Sequence, residues 1–368
     1  MKDFIFVFIL FSNLSYSQII PSFQGVHSHN TTSESMSTYA LDFANNDDCT
    51  NNCTGSFYGE INWSDMSEYT VSMWVKSGED NPVEWRAFFN TSSTSRKGFQ
   101  MDSGGSSNYR MHATAAGGSS PSFGANSLTT SWVHLAIVAG NSETKLYYNG
   151  DLVSTNSWIE SYWDQIEIGR NRNVDRPGNY FIDEIRVWDV AVTQANIRSW
   201  MHKPISDSHP NYSDLEVYFQ MNSNSISGGN TLLDISGNDN NATLHNVSGI
   251  ETLSSNVPLS DLSSSYQNDV EGIWTLTGTS SSDGSDGLSM SVSPALSDQF
   301  AVFGNNNTSS TSTSGLPSGT AVRSARVWQV DKYGTISADI NFNLSEVIGA
   351  NPSSVGGSSN YKLLYRVG

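Results

Sequence analysis

The chain has 368 residues, and its 18 Lys and Arg stand against 36 Asp and Glu, a formal net charge of −18. A surface so negative repels phosphate backbones and anionic lipid, which argues against nucleic acid and membrane insertion and leaves cations and neutral sugars as partners. Charged residues make up only 15% of the chain while Gly numbers 30, a composition that suits short strands and polar turns better than long helices.

The N-terminus sets the compartment. Lys2 precedes an apolar run over residues 4–11, and Ser15 and Ser17 then place small residues at the −3 and −1 positions of a cleavage site before Gln18. The run is shorter than the ~20 helical residues that span a bilayer. Residues 1–17 therefore read as a signal peptide, against the alternative of an apolar first strand. The mature protein is expected to be secreted, extracellular or at the cell surface. Residues 18–36 read as an N-terminal linker, and His27 and His29 within it as a solvated tail rather than a metal pair. Asp47 and Asp48 sit in a polar turn. Cys49 and Cys53 are the two cysteines. In an oxidising compartment a pair this close is expected to form a small disulfide that pins a loop.

From residue 37 to 250 the pattern is that of short strands. Residues 69–76 alternate, with Tyr69, Val71, Met73 and Val75 on one face. Residues 132–138 are apolar on both faces, as a strand between two covered surfaces would be. Residues 144–148 and 151–153 flank Asn149-Gly150, the pair that a type I′ hairpin turn favours because both positions need positive φ. Residues 180–188 form a long β-branched and aromatic strand, followed by a helix over 193–201. Residues 214–220 make one more strand, and residues 231–245 an Asn-rich turn with a short edge strand. The fold class expected is all-β, a two-sheet sandwich. The Ser-rich stretch 251–268 reads as a linker. A second β-rich module spans 269–368, with strands near 272–277, 299–303, 325–330 and 336–342. Its last strand, near 361–368, has nothing after it to pair with, so the module reads as incomplete.

Four segments taken in order carry a resemblance. Residues 39–43 (Tyr-Ala-Leu-Asp-Phe), 69–76, 132–150, and 168–169 with 180–197 resemble the bacterial laminin-G-like family of concanavalin-type jelly rolls. In that family the first segment opens the sandwich and the last closes it. A strand and an Asp-x-Ser-Gly-Asn turn often follow the helix, matching residues 215–219 and Asp234, Ser236, Gly237 and Asn238. One departure is at the helix start, where Asn196 replaces the usual Glu. The capping box is then incomplete, and its contribution of ~1 kcal/mol is reduced. The resemblance implies a two-sheet jelly roll over 37–250 and a recognition module for glycans or extracellular surface proteins. The C-terminal region resembles β modules of secreted bacterial surface proteins and implies no chemistry.

The fold also hosts glycosidases, and laminarinase-like ones place two catalytic carboxylates on one face of a strand, in a Glu-Ile-Asp-x-x-Glu pattern. Here Asp183 and Glu184 are adjacent and should point to opposite faces. Glu160 and Asp164 share no strand pattern, and no other strand offers a same-face pair with a Trp-lined approach. No hydrolytic activity is expected. The alternatives are a polysaccharide-active enzyme on this fold or a structural spacer of a larger adhesin. Strict alternation groups Asp183 with Phe181, Ile185 and Val187, so it needs either protein donors or a cation. Pentraxins, similar in fold, carry calcium ligands in a loop after an Ile/Leu-Gly pair. Asn171, Asn173 and Asp175 follow Gly169 and supply oxygen ligands of the kind Ca²⁺ takes, although Arg170, Arg172 and Arg176 oppose a cation there. Asp183, and separately Asp47 and Asp48, complete the Ca²⁺ candidates. Trp158, Tyr162 and Trp163 crowd three large rings into a polar stretch, where they could stack on sugar faces or enter the core.

Overall fold

The computed structural model describes residues 6–8, 22–28, 39–44, 55–62, 66–79, 86–91, 98–101, 108–112, 122–124, 128–157, 165–170, 177–222, 225–247, 252–284, 287–316, 323–348 and 364–366. The chain divides into two compact units. One holds Glu34–Met201 with Ile205–Val257, and the other Met1–Ser33, His202–Pro204 and Pro258–Gly368.

Among its described residues the first unit is built of strands, one short α-helix and a 3-10 turn at Tyr212–Asp214. In chain order these are β1 (Tyr39–Asp42), β2 (Tyr58–Asn62), β3 (Tyr69–Ser77), β4 (Ala87–Thr91), β5 (Gly98–Met101), β6 (Asn108–His112), β7 (Ser122–Gly124), β8 (Val133–Gly140), β9 (Glu143–Tyr148), β10 (Asp151–Asn156), β11 (Gln165–Ile168), β12 (Tyr180–Trp188), α1 (Gln194–Trp200), β13 (Leu215–Phe219), β14 (Ile226–Ser227), β15 (Thr231–Leu232), β16 (Ala242–His245) and β17 (Thr252–Ser254). They form two sheets. Sheet one runs β10-β9-β8-β3-β12-β1-β17, with β13 also paired to β12. Sheet two runs β14-β15-β16-β2-β11-β4-β5-β6-β7.

The sheets meet over an apolar layer, where Val71 and Met73 of β3 and Ile185 and Val187 of β12 face Ile61, Phe88, Phe89, Ile166 and Ile168 of sheet two. Burying each such side chain contributes about 1.5–3 kcal/mol. Gly169 leaves β11 with φ +92°, and a Cβ there would lie 2.1 Å from the Phe43 ring, so the Ile168-Gly169 pair is dictated by packing.

The other face of sheet one is covered as well. Trp188, Val192, Ile197, Leu215 and Tyr218 pack there against Ala136, Val138 and Tyr147. This explains why residues 132–138 are apolar on both faces. The Trp74 indole donates to Met201 O at 2.9 Å. Helix α1 is capped by the Thr193 hydroxyl, which accepts from Asn196 N. Asn196 donates to Asn211 Oδ1 instead of completing a capping box. The hairpin forms as its sequence demands: Asn149 and Gly150 have φ of 51° and 79°, and Tyr148 pairs with Asp151 across them.

Two expectations are corrected in this unit. The first concerns the face of Asp183. Pairing of β12 with β3 slips between Asp183 and Arg186, and Glu184 takes φ +53°. This bulge inserts one residue, so Ile185 and Val187 stay in the inter-sheet core while Asp183 does not share their face. The second concerns the Ser-rich stretch 251–268. It begins with β17, which pairs with β1. Ser255 Oγ then donates to Asp183 Oδ2 at 2.5 Å, Asn256 accepts from the Trp132 indole at 2.8 Å, and Val257 is buried. Composition hid spaced apolar anchors, and the hydroxyls serve buried partners.

The bulge also creates a covered ion pair. Arg186 reaches Glu184 Oε2 through Nε at 3.1 Å and Nη2 at 2.5 Å, and Tyr218 Oη donates to the same oxygen at 2.8 Å. Arg186 Nη1 donates to Trp200 O at the end of α1. Burial pushes the Glu184 carboxyl above its ordinary range, opposed by Arg186 and Tyr218.

The second unit has its own sheet, ordered Asn268–Ile273, Phe300–Asn305, Val327–Tyr333, Ser22–Ser28, Phe6–Phe8 and Leu364–Arg366, and a smaller one of Ser280–Ser282, Leu288–Val292 and Ala338–Phe342. Ile273, Met290, Phe303, Trp328 and Val330 lie in its core. Leu259 and Leu262, from the stretch read as linker, are buried. The buried Asp283 accepts from Gly287 N, Leu288 N and the Trp328 indole. Ser22–Ser28, also read as linker, runs parallel to Val327–Tyr333, a long-range pairing that polar composition does not reveal. Phe6–Phe8 pairs with residues 22–24 and 364–366.

Candidate functional site

The core layer assigns the faces of sheet two. Ile61, Phe89, Ile166 and Ile168 point inward, and Phe89 pairs with Ile168, so alternation turns their neighbours Glu60, Asn90 and Glu167 to the outer face; Phe88 also faces inward because the register shifts between Ala87 and Phe89. Strand register then sets them abreast. Glu60 pairs with Glu167, Glu167 with Asn90, and Asn90 with Gly98. Thr243 of β16 stands beside Glu60 at the other end, and His245 faces Tyr58. The row thus crosses β16, β2, β11, β4 and β5.

This row is polar yet largely withdrawn from solvent. Glu167 is 2% exposed and Asn90 0%. Arg170, just past β11, grips Glu167 with both prongs, Nε to Oε2 at 2.7 Å and Nη2 to Oε1 at 2.5 Å. Its Cζ lies 3.3 Å from the centre of the Tyr58 ring, and Tyr58 stacks on His245 with centroids 4.4 Å apart and planes at 7°. Burial raises the Tyr58 phenol above its ordinary value; Arg170 pulls it down while Glu167 and Glu60 push it up. Burial disfavours the Arg170 charge, but Glu167 and Tyr58 outweigh that and hold its pKa high.

Two features of the row are unfinished. Both amide atoms of Asn90 lack a hydrogen-bond partner among the described residues, a state that costs about 1–3 kcal/mol for a buried group unless water or a ligand completes it. The Glu60 carboxylate also has neither ion pair nor hydrogen bond among the described residues. Gly98 clears the end of the row. Its φ is +144°, and a Cβ there would sit 2.6 Å from Asn90 Cα and 2.9 Å from Asn90 Cγ.

Of the residues singled out from the sequence, Asp183 is placed. Its Oδ1 accepts from Glu184 N at 2.8 Å and its Oδ2 from Ser255, so protein donors meet it. Trp158, Tyr162, Trp163, Asn171, Asn173, Asp175, Asp47, Asp48, Cys49 and Cys53 lie outside the described residues. Strand β11 stands in the sequence between the aromatic segment and the Asn171–Asp175 segment. Among the described residues no group of three or more His, Cys, Asp or Glu is arranged to hold a metal, and no helix is long and apolar enough to cross a membrane. The Asp-x-Ser-Gly-Asn turn is a staple. Asp234 accepts from Tyr218 N, Ser236 N, Ser236 Oγ and Asn240 N. Asn238 and Asn240 donate to carbonyls of β13.

Sequence reasoning missed Glu60, Glu167 and Asn90. The signal present was Gln165-Ile-Glu-Ile168, an acid between two isoleucines, which aims the acid away from a core. The expectation that no other strand offers a same-face carboxylate pair with a Trp-lined approach considered strands one at a time: Glu60 and Glu167 are directly opposite each other on neighbouring strands.

Residues 55–198 match the family described as the concanavalin A-like lectin/glucanases superfamily, a laminin-G-type family. No curated protein matches the chain. Among solved structures, a candidate carbohydrate-binding protein of Bacteroides ovatus is similar at 20% identity and a TM-score of 0.46, over 61% of this chain and 62% of that one. The heptameric SAP-like pentraxin of Limulus polyphemus is similar at 13% identity and 0.34, over 47% of this chain and 83% of that one. The CBM40 of the Ruminococcus gnavus IT-sialidase, bound to α2,3-sialyllactose, is similar at 13% and 0.31, over 40% and 98%. The chain thus spans less than two thirds of the length of the first of these.

Proposed function

We propose that this is an exported, non-catalytic glycan-binding protein whose ligand lies on the outer face of sheet two, across Glu60, Glu167 and Asn90. The observation that carries this reading is the Asn90 amide, buried and without a partner among the described residues, within a polar row. A sugar hydroxyl donates and accepts at once, so it can complete both atoms of such an amide. Carboxylates that accept from hydroxyls add charge-assisted bonds of about 1.5–3 kcal/mol each. Arg170 fixes Glu167 in one orientation, which lowers the ordering cost of binding. Trp158, Tyr162 and Trp163, in the segment before β11, are proposed as stacking rings. Export would follow cleavage after Ser17. Any Ca²⁺ is proposed for Asn171, Asn173 and Asp175, or for Asp47 and Asp48, because Asp183 already has protein donors.

A second reading has one observation in its favour. Glu60 and Glu167 oppose each other on adjacent strands, and glycoside hydrolysis uses a carboxyl pair on one face. Purified protein should release no reducing ends from β-glucans, alginates or galactans, and release abolished by Glu60→Gln would install the hydrolase instead. The binding reading is tested by affinity electrophoresis through immobilised glycans. Asn90→Ala should weaken retardation at least ~10-fold, equal to about 1.4 kcal/mol. Unchanged retardation would remove the site from this face.

A further inference from the structure

We infer that the glycan taken by this row is uncharged, a neutral hexose polymer rather than a uronate or sulfated one. The inference rests on the glycan-binding reading and adds the ligand's charge class.

Formal charges along the row decide it. Glu60 and Glu167 are carboxylates and Arg170 is a guanidinium, which leaves one net negative formal charge among the three. The only cation among these residues is already committed, since both prongs of Arg170 close on Glu167. Glu60 has no ion-pair partner among the described residues. It stands opposite another carboxylate, an arrangement that like-charge repulsion disfavours. An anionic sugar laid across Glu60 would add a third negative charge with no free guanidinium to receive it. A neutral sugar would instead donate hydroxyl protons to oxygens that have none. The chain's net charge of −18 repels polyanions further.

The spacing agrees. Glu60, Glu167 and Asn90 occupy three neighbouring strands, so the row spans two strand spacings, ~10 Å in all. That is about the length of one disaccharide, crossing the strands rather than following one. Asn90 suits such a ligand better than a charged one: its two open atoms are a donor and an acceptor, which fit a hydroxyl but waste one atom on a carboxylate.

The experiment is titration calorimetry of the full exported chain against two oligosaccharide panels at low and high salt. The neutral panel holds gluco-, galacto- and manno-oligosaccharides; the anionic panel holds oligoalginates, oligogalacturonates and sulfated galacto-oligosaccharides. At least one neutral ligand should bind, with little salt dependence, and anionic ligands of equal length should bind at least ~10-fold more weakly. Glu60→Gln keeps an acceptor oxygen and removes the charge. It should weaken neutral binding, since a charge-assisted bond becomes an ordinary one, while raising anionic binding, so that the preference for neutral over anionic ligands narrows at least ~10-fold. Anionic ligands that bind more tightly than neutral ones, with affinity falling as salt rises, would overturn this inference alone and would point to Arg172 and Arg176. Binding to neither panel would overturn the glycan reading and this inference with it.

Discussion

The molecule contains the same triplet twice, on opposite sides of one sandwich. On sheet one, Glu184, Arg186 and Tyr218 lie under helix α1, with the Arg and Glu side chains only 2% and 0% exposed. On sheet two, Glu167, Arg170 and Tyr58 lie on a face that carries no helix among the described residues, with the Arg170 and Glu167 side chains 12% and 3% exposed. The covered triplet converges on one carboxylate oxygen and ties the bulge of β12 to the end of α1. The other uses both oxygens of Glu167, and beside it stand Glu60, unpaired among the described residues, and Asn90, unsatisfied among them. Residue type does not separate a structural cluster from a binding one. What separates them is whether the surrounding donors and acceptors are already spent on the fold.

Substitutions sharpen that contrast. Arg186→Met strands a buried carboxylate and should cost about 3–5 kcal/mol in denaturant unfolding. Arg170→Met also strands a nearly buried carboxylate, but at a pair with one partner 12% exposed, so it should cost less than Arg186→Met while weakening glycan binding. Equal stability losses at the two sites would erase the distinction. Alkaline titration reads it through the phenols. Burial pushes Tyr218 well above its ordinary value, pushes Tyr148 up to about 12, and raises Tyr58 less strongly against the pull of Arg170. A folded-state pKa above the unfolded one adds stability that is complete below the ordinary value of 10.0 and is lost as pH rises through the folded value. Unfolding should therefore set in between these values, with the Tyr58 phenol ionising before that of Tyr218. Absorbance titrations of Tyr58→Phe and Tyr218→Phe assign the two, and the reverse order would contradict the account.

Asn90→Ala should move stability by no more than ~0.5 kcal/mol, because it deletes an unpartnered amide rather than a bond; a structural Asn would cost about 1–3 kcal/mol. The smallest effect is expected at Cys49 and Cys53. The disulfide proposed there closes a short loop and removes little chain entropy, so reduction should barely shift Tm, while intact mass before and after should differ by two hydrogen atoms. Free thiols in the exported protein would refute the pairing.

Local patterns carried much of the sandwich into the sequence. The alternation of residues 69–76, the two-faced apolar run at 132–138 and the Asn149-Gly150 turn each name a short-range geometry. The bulge at Glu184 had no such signature, since a non-glycine residue at positive φ is held there by Arg186 and Tyr218, distant partners that period two cannot see. The polar row was hidden for a related reason. Glu60, Asn90 and Glu167 are far apart in sequence and become neighbours only through register. The Ser-rich residues 251–268 misled in the opposite sense, because Val257, Leu259 and Leu262 anchor a stretch whose composition reads as solvated.

The most direct test of the central claim is a crystal structure of the exported protein soaked with the best-binding oligosaccharide. The account predicts sugar density across β2, β11 and β4, with one hydroxyl within hydrogen-bond distance of both Asn90 amide atoms and another on Glu60. Density seated elsewhere on the protein, with the Asn90 amide still unpartnered or closed by a side chain, would contradict it.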